Sequence, residues 1–173
     1  EPFLTQSAGF GQYHVPGFPL AGIFHRRVVS ADIDNSGAQP VATNMMCESG
    51  EIVPGTAPVN GVGFSKGGGP AVPCLDAPAV YWGNAIPVWE GAGALSVTLF
   101  KNLQLFGQVD FVGGHTILSG DVRAAHMSFR NTKAILERKD PILLAYDILD
   151  TRRQPGIMNA GFAKLRDLSA TWN

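Results

Sequence analysis

Leu95-Ser96-Val97-Thr98-Leu99 alternates apolar and polar residues. After Lys101-Asn102 the alternation resumes as Leu103-Gln104-Leu105 and continues in phase, past Gly107, as Gln108-Val109-Asp110-Phe111. Successive side chains of a strand point to opposite faces, so two period-two runs around a short polar turn predict a β-hairpin. Its apolar face carries Leu95, Val97, Leu99, Leu103, Leu105, Val109 and Phe111. Its polar face carries Ser96, Thr98, Gln104, Gln108 and Asp110, with Phe106 as the exception. The turn has no Gly, which leaves its type open. A soluble sandwich turns such an apolar face inward, whereas a transmembrane barrel turns it toward lipid. Periodicity alone does not separate the two.

Composition points to strands and loops. Charged residues make up 16% of the 173 residues, against ~25% in ordinary soluble domains, while Gly reaches 21 and Pro 12. A net charge of −1 argues against nucleic acid as the main partner, because phosphate binding needs clustered Lys and Arg. The first residue is Glu1, and no basic segment followed by an apolar one opens the chain. The expectation is that a leader was removed or that the chain is cut from something longer. No run of ~18 apolar residues is present, so no transmembrane helix is expected. A barrel strand needs only ~10 alternating residues and is not excluded.

Gly9 to Phe24 is aromatic, Gly-rich and twice broken by Pro, and reads as irregular extended chain. Asp32 to Pro78 is dense in Gly, Pro, Asn and Ser and holds no lasting period. A stretch that long without regular structure suits an extracellular barrel loop better than a compact domain. Beyond Gly113-Gly114, Asp121 to Arg138 is the one good helix candidate, with Asp121 as its cap and Asp140-Pro141 as its stop. Pro141 to Ile148 is short, apolar and of open type, and Thr151 to Gly161 reads as loop. Phe162 to Trp172 returns to strand, with Leu168, Ala170 and Trp172 on one face. Its start, Lys164-Leu165-Arg166, breaks the alternation at an expected bulge or membrane interface. Cys47 and Cys74 have no nearby His pair that would suggest zinc. They read either as one disulfide of an exported protein or as two free thiols.

Five segments together resemble the SusC/RagA-type TonB-dependent outer-membrane receptors. Gly17 to Phe24 (GFPLAGIF) is similar to the family's Gly-x-Pro lead into an aromatic stretch. Asp32 to Gly37 (DIDNSG) resembles its D-x-N-G-D-G loop but lacks the later Asp. Tyr81 to Gly91 (YWGNAIPVWEG) looks like its G-x-x-x-P-x-W-x-G approach to a barrel strand. Leu99 to Leu103 is similar to its short inter-strand turn, and Phe162 to Ser169 (FAKLRDLS) to its F-x-[KR]-L-R-x-[LV]-[ST] strand. Each match alone is weak, the third and fifth are the most specific, and the order and spacing of the five carry the resemblance.

The resemblance implies antiparallel strands of a large transmembrane β-barrel of ~22 strands, with long, partly helical extracellular loops. Residues 1–173 would form a partial barrel domain from the C-terminal half, with the plug and remaining strands absent and Asn173 a cut end. The Lys101-Asn102 turn would face the periplasm. Asp32 to Pro78 and Gly113 to Gly161 would be extracellular, with Cys47 and Cys74 in one outer loop where a disulfide persists. The implied partners are outer-membrane lipid, TonB through the plug, a SusD-like surface lipoprotein, and an oligosaccharide or peptide ligand.

Other constellations are weaker. Asp32, Asp34 and Ser36 followed by Gly37 copy the first half of a calcium loop, but the closing Glu is replaced by Thr43, so an Asx-type turn competes with a calcium site. His14, His25, His115 and His126 lack metal-ligand spacing. Ser119, His115 and Asp121 compose a triad only on paper, without a nucleophile elbow, and no catalysis is expected. Gly67-Gly68-Gly69 lacks the Lys-Ser/Thr of a phosphate loop and reads as a flexible tip. Trp89 reads as an interfacial girdle residue. Tyr81 and Trp82 read either as girdle or as sugar-stacking ligand contacts. Arg123, Arg152 and Arg153 read as solvated or lumenal charges. The competing reading of the whole chain is a secreted, disulfide-closed β-sandwich that binds glycan or protein. It requires a second sheet over the apolar face of the hairpin.

Overall fold

A computed structural model describes residues 6–7, 11–56, 62–128, 132–149 and 154–172. Arg152, Arg153, the cut end expected at Asn173, and the start of the Gly9–Phe24 stretch lie outside them. The chain is mainly β. Its strands are β1 (Gln6–Ser7), β2 (Gln12–Tyr13), β3 (Gly22–His25), β4 (Val28–Asp34), β5 (Val41–Glu48), β6 (Phe64–Ser65), β7 (Ala71–Pro73), β8 (Ala79–Asn84), β9 (Trp89–Leu99), β10 (Leu103–Gly113), β11 (Thr116–Leu118), β12 (Ile157–Asn159) and β13 (Phe162–Trp172). Three short helices, α1 (Gly120–Arg123), α2 (Lys133–Glu137) and α3 (Pro141–Ile148), lie between β11 and β12.

The hairpin of the alternating sequence forms as β9 and β10, paired from Leu103 with Leu99 to Gly113 with Trp89. Its turn includes Phe100 as well as Lys101 and Asn102. Phe100 and Lys101 take the left-handed region, at φ 50° and 67°. Two successive left-handed residues give a turn the twist that matches the strands it joins, which is why hairpins favour them and why Gly is common there. β13 adds to the other side of β10, giving the order β13-β10-β9. The expected break in β13 is a bulge. Gln108 faces Asp167 but Val109 faces Leu165, so Arg166 is the extra residue. The bulge restores phase and keeps Leu165 and Ala163 on the face of Leu168 and Trp172.

The stretch expected to lack regular structure is organised. β4, β5 and β7 form one sheet, and β1-β2-β3-β8-β6 another, in which β6 runs parallel to β8. Helix α3 packs on β4 and β5. Val28, Ala42, Cys47, Cys74, Ala77, Leu144, Ala145 and Leu149 close a first core there. A second core is aromatic. Phe24 meets Phe64 edge-on at 5.1 Å between ring centroids, with Val15 and Ala79 buried beside them. The strands are two to eight residues long and bulged, and many of the buried residues are Ala or Cys. A period cannot build up under those conditions.

The single helix expected over Asp121–Arg138 is corrected to separate pieces. Ser119, not Asp121, caps α1 by accepting from the Val122 N–H, and a π-helical turn over Ala124–Ser128 follows. Thr132 is extended and precedes α2, its hydroxyl bonded to His126 Nδ1 at 2.8 Å instead of capping the helix. Arg138 ends α2 in the left-handed region and donates through Nε and Nη2 to the Pro40 carbonyl. Asp140-Pro141 ends nothing and instead opens α3. The Asp140 carboxylate accepts from the Ile142 and Leu143 N–H groups, and Pro141 sits where a missing N–H costs nothing. Asp140→Ala is therefore expected to destabilise the α3 layer by about 1 kcal/mol, read as a lower denaturant midpoint, with Asp140→Ser retaining most of the stability.

Gly67–Gly69, expected as a flexible tip, is pinned. The Gly68 N–H donates to Glu48 Oε1 at 2.6 Å and the Gly67 N–H to Ser65 Oγ, while both glycines hold φ near +85°. A Cβ on Gly67 would lie 2.6 Å from that same Glu48 oxygen.

Candidate functional site

The three-stranded sheet stands apart from both cores. Ladder pairing places Trp89, Leu95, Val97, Leu99, Leu103, Leu105, Val109, Phe111, Leu165, Leu168, Ala170 and Trp172 on one face. That face is bare: Leu168 is 75% exposed, Leu95 69% and Trp172 71%. Among the described residues no second sheet or helix covers it. Water-facing apolar area of this extent, on strands of eleven residues, marks a surface that meets something apolar.

Aromatic residues sit at the two ends of this face. Trp89, opposite Gly113, packs on Phe111 at 6.0 Å between centroids. At the other end are Trp172, opposite Leu103, and the exposed Phe100 of the turn. Between the two levels β10 runs ten residue steps. At ~3.4 Å per step that is about 34 Å of strand, or about 24 Å of height at the ~45° tilt of a barrel strand.

The opposite face is polar. It holds Gln104, whose amide donates to Ser96 Oγ at 3.1 Å. It also holds Asp110, which accepts from Arg166 Nε at the bulge and lies directly opposite Lys164. The bulge thus places a cation beside Asp110, a consequence that sequence alternation alone does not reveal.

The chain crosses between sheet and cores three times at the Trp89–Gly113–Phe162 end, before Trp89, after Gly113 and before Phe162. The cores therefore sit beyond that end, opposite the Phe100–Asn102 turn.

Tyr81 and Trp82, read either as girdle residues or as stacking faces for a ligand, both make contacts within the fold. Tyr81 packs on Phe18 at 5.0 Å and on Phe24 at 5.3 Å, and burial raises its phenol pKa. Trp82 donates from Nε1 to the His25 carbonyl, and the Arg27 guanidinium lies 4.4 Å over its ring. Arg27 also pairs with Glu48 at 2.7 Å and donates to the Tyr81 carbonyl, so it ties β8 to the end of β5. Nothing in the sequence singles out Arg27, because its partners are 21 and 54 residues away.

Asp32 and Asp34 lie on β4 instead of wrapping a loop. Asp34 Oδ1 accepts from the Ser36 N–H at 2.8 Å, an Asx turn, and this bond holds its carboxyl below the usual range. Asp32 accepts from Asn44 Nδ2 at 2.8 Å. No cluster of three metal-ligating side chains occurs among the described residues. Ser119 serves as a helix cap, its hydroxyl accepting from the Val122 N–H. Cys47 and Cys74 form a disulfide between β5 and the residue after β7, and both are buried.

Burial pushes the Tyr146 hydroxyl of α3 from 10 up to about 12, with Arg27 opposing and Asp140 adding to the rise. The neutral phenol is the form favoured in the fold. Its contribution is complete below pH 10 and is lost as pH rises through about 12. Tyr146→Phe should flatten the fall of the denaturant midpoint across that window, and an unchanged fall would place its cause elsewhere.

No protein-family model, curated protein or solved structure matches the chain.

Proposed function

We propose that this chain is a segment of an outer-membrane β-barrel receptor of the TonB-dependent SusC/RagA type, which takes up an oligosaccharide or peptide and performs no chemistry on it. The observation that carries the reading is the bare apolar face of β9, β10 and β13, with aromatic residues at its two ends, ten residue steps of β10 apart; at the tilt of a barrel strand that length would span a height close to the ~25 Å apolar band of such barrels. Lipid is the partner that covers an apolar face of that height while a polar face looks into a lumen. A barrel leaves no edges, so further strands pair with the outer edges of β9 and β13. The disulfide-closed cores beyond the Trp89 end form the extracellular part, and the short Phe100–Asn102 turn faces the periplasm. A SusD-like lipoprotein caps the outer side, and TonB acts through a plug outside these residues. The sandwich reading would need a second sheet over Leu95, Val97 and Leu105, and none packs there among the described residues.

The test compares the solution state of the chain with and without detergent. Aggregation in buffer with recovery of a strand-rich, dispersed form in detergent is the expected result. A cooperative monomer in plain buffer would mean that the apolar face is already buried, and would overturn the reading.

A further inference from the structure

A cleft of about 590 Å³ opens between β4, β5, the segment after β7 and the end of α3, within the size range of small-ligand sites. Its position follows from a defect in the β4–β5 ladder. Ser30 faces Met46 but Asp32 faces Thr43, so β5 carries an extra residue there. Within that bulge Asn44 adopts φ 47°, a left-handed conformation that non-glycine residues take at a cost and that Asn tolerates best. The bulge turns the Asn44 amide onto the Asp32 carboxylate and frees the Met45 carbonyl to accept from the Cys74 N–H at 3.0 Å. The disulfide from Cys47 to Cys74 fixes the far wall.

The lining has two chemistries. Met45, Met46, Leu75 and Leu149 make an aliphatic and thioether wall, and Leu75 is exposed. At the polar end stands Asp32, whose carboxylate bonds Asn44 and forms no ion pair among the described residues. Sugar sites rely on aromatic platforms, and the rings of Tyr81 and Trp82 are engaged elsewhere. A largely apolar wall that ends at an exposed carboxylate, without an ion pair among the described residues, instead matches a side chain with an aliphatic stem and a cationic head.

We propose that this cleft binds a Lys or Arg side chain of an extended peptide, its stem along Met45, Met46 and Leu75 and its charge on Asp32. The proposal deepens the receptor reading and rests on it for the access of peptide from outside. Asn44 is a positioning residue that holds the carboxylate at the mouth.

The whole chain, dispersed in detergent, is titrated with a fluorescent, end-capped Ala-Leu-Lys-Leu-Ala peptide and with the same peptide carrying norleucine for Lys. The expected result is at least tenfold weaker binding of the norleucine peptide, a comparable loss for the Lys peptide on Asp32→Asn, and weakening of the Lys peptide with salt. Asn44→Gly keeps the backbone conformation, removes the amide, and is expected to weaken binding severalfold. Maltopentaose is not expected to compete. Equal binding of the two peptides by the unaltered chain, displacement by maltopentaose, or an Asp32→Asn chain that binds as before would overturn the proposal. The norleucine comparison decides even where a variant fails to fold. Detergent dependence read on the same samples separates the two failures. Charge-selective binding by a chain that is monomeric in buffer refutes the receptor and keeps the cleft. Detergent-dependent chain without charge selection refutes the cleft alone.

Discussion

Leu168→Arg is expected to lower the fraction of chain that inserts into lipid about a hundredfold, while Ser169→Arg next to it leaves insertion within a few-fold. Leu168 and Leu95 flank Gly107 near the middle of the sheet, midway between the levels of Trp89 and Trp172. An arginine on the lipid face at mid-depth costs ~2–4 kcal/mol, and the cost falls toward the interfaces. Ser169 lies opposite Phe106 on the other face, where in the proposed barrel an added charge would meet lumenal water. The pair therefore compares neighbouring positions of one strand with opposite environments. Partition into lipid vesicles measures both. Equal losses at the two positions would mean that β13 is not divided into a lipid face and a wet face.

Replacing both Cys47 and Cys74 by Ala is expected to cost the first core about 3.5 kcal/mol, the loop-closure value for the 27-residue separation of the pair. The bridge lies in the first core, touching the layer that α3 covers, and both cysteines are almost fully buried. Its loss frees the segment after β7 and removes packing from Val28 and Leu144. A denaturant titration of the oxidised chain against the double variant reads the difference. The spectroscopic signal of the three-stranded sheet in detergent should persist, because the disulfide touches none of its strands.

The part of the fold legible in the sequence is the part whose regularity is long. β9, β10 and β13 are each eleven residues long, their alternation is read over Leu95–Leu99, Leu103–Phe111 and Leu168–Trp172, and even the Arg166 bulge announces itself as a break in phase. The two cores were illegible because their order is made of non-local pairings between short elements. Phe64 joins Phe24 across forty residues, and Arg27 reaches Glu48, Tyr81 and Trp82. The π-helical turn and the Thr132–His126 bond divide what looks like one helical run, since a side chain that bonds elsewhere no longer serves the helix. Asp140-Pro141 carried the opposite meaning to the one assigned, because the same pair that ends a helix opens one when the carboxylate reaches the next N–H groups. Tyr81 and Trp82 were singled out for their chemistry, but the fold uses their rings internally, and the Asp32–Asn44 contact depends on a bulge that no pattern of residues displays.

The decisive measurement is a spin-label scan of Leu168, Ser169, Ala170 and Thr171, each replaced singly by a labelled cysteine in the chain reconstituted with lipid, where the buried Cys47–Cys74 disulfide does not react. Collisions with oxygen, which concentrates in lipid, should peak at 168 and 170, and collisions with a water-soluble nickel chelate at 169 and 171, in strict alternation. Labels at 168 and 170 that are immobilised and reached by neither reagent would mean that the apolar face is packed against protein, and would contradict a lipid-facing barrel strand.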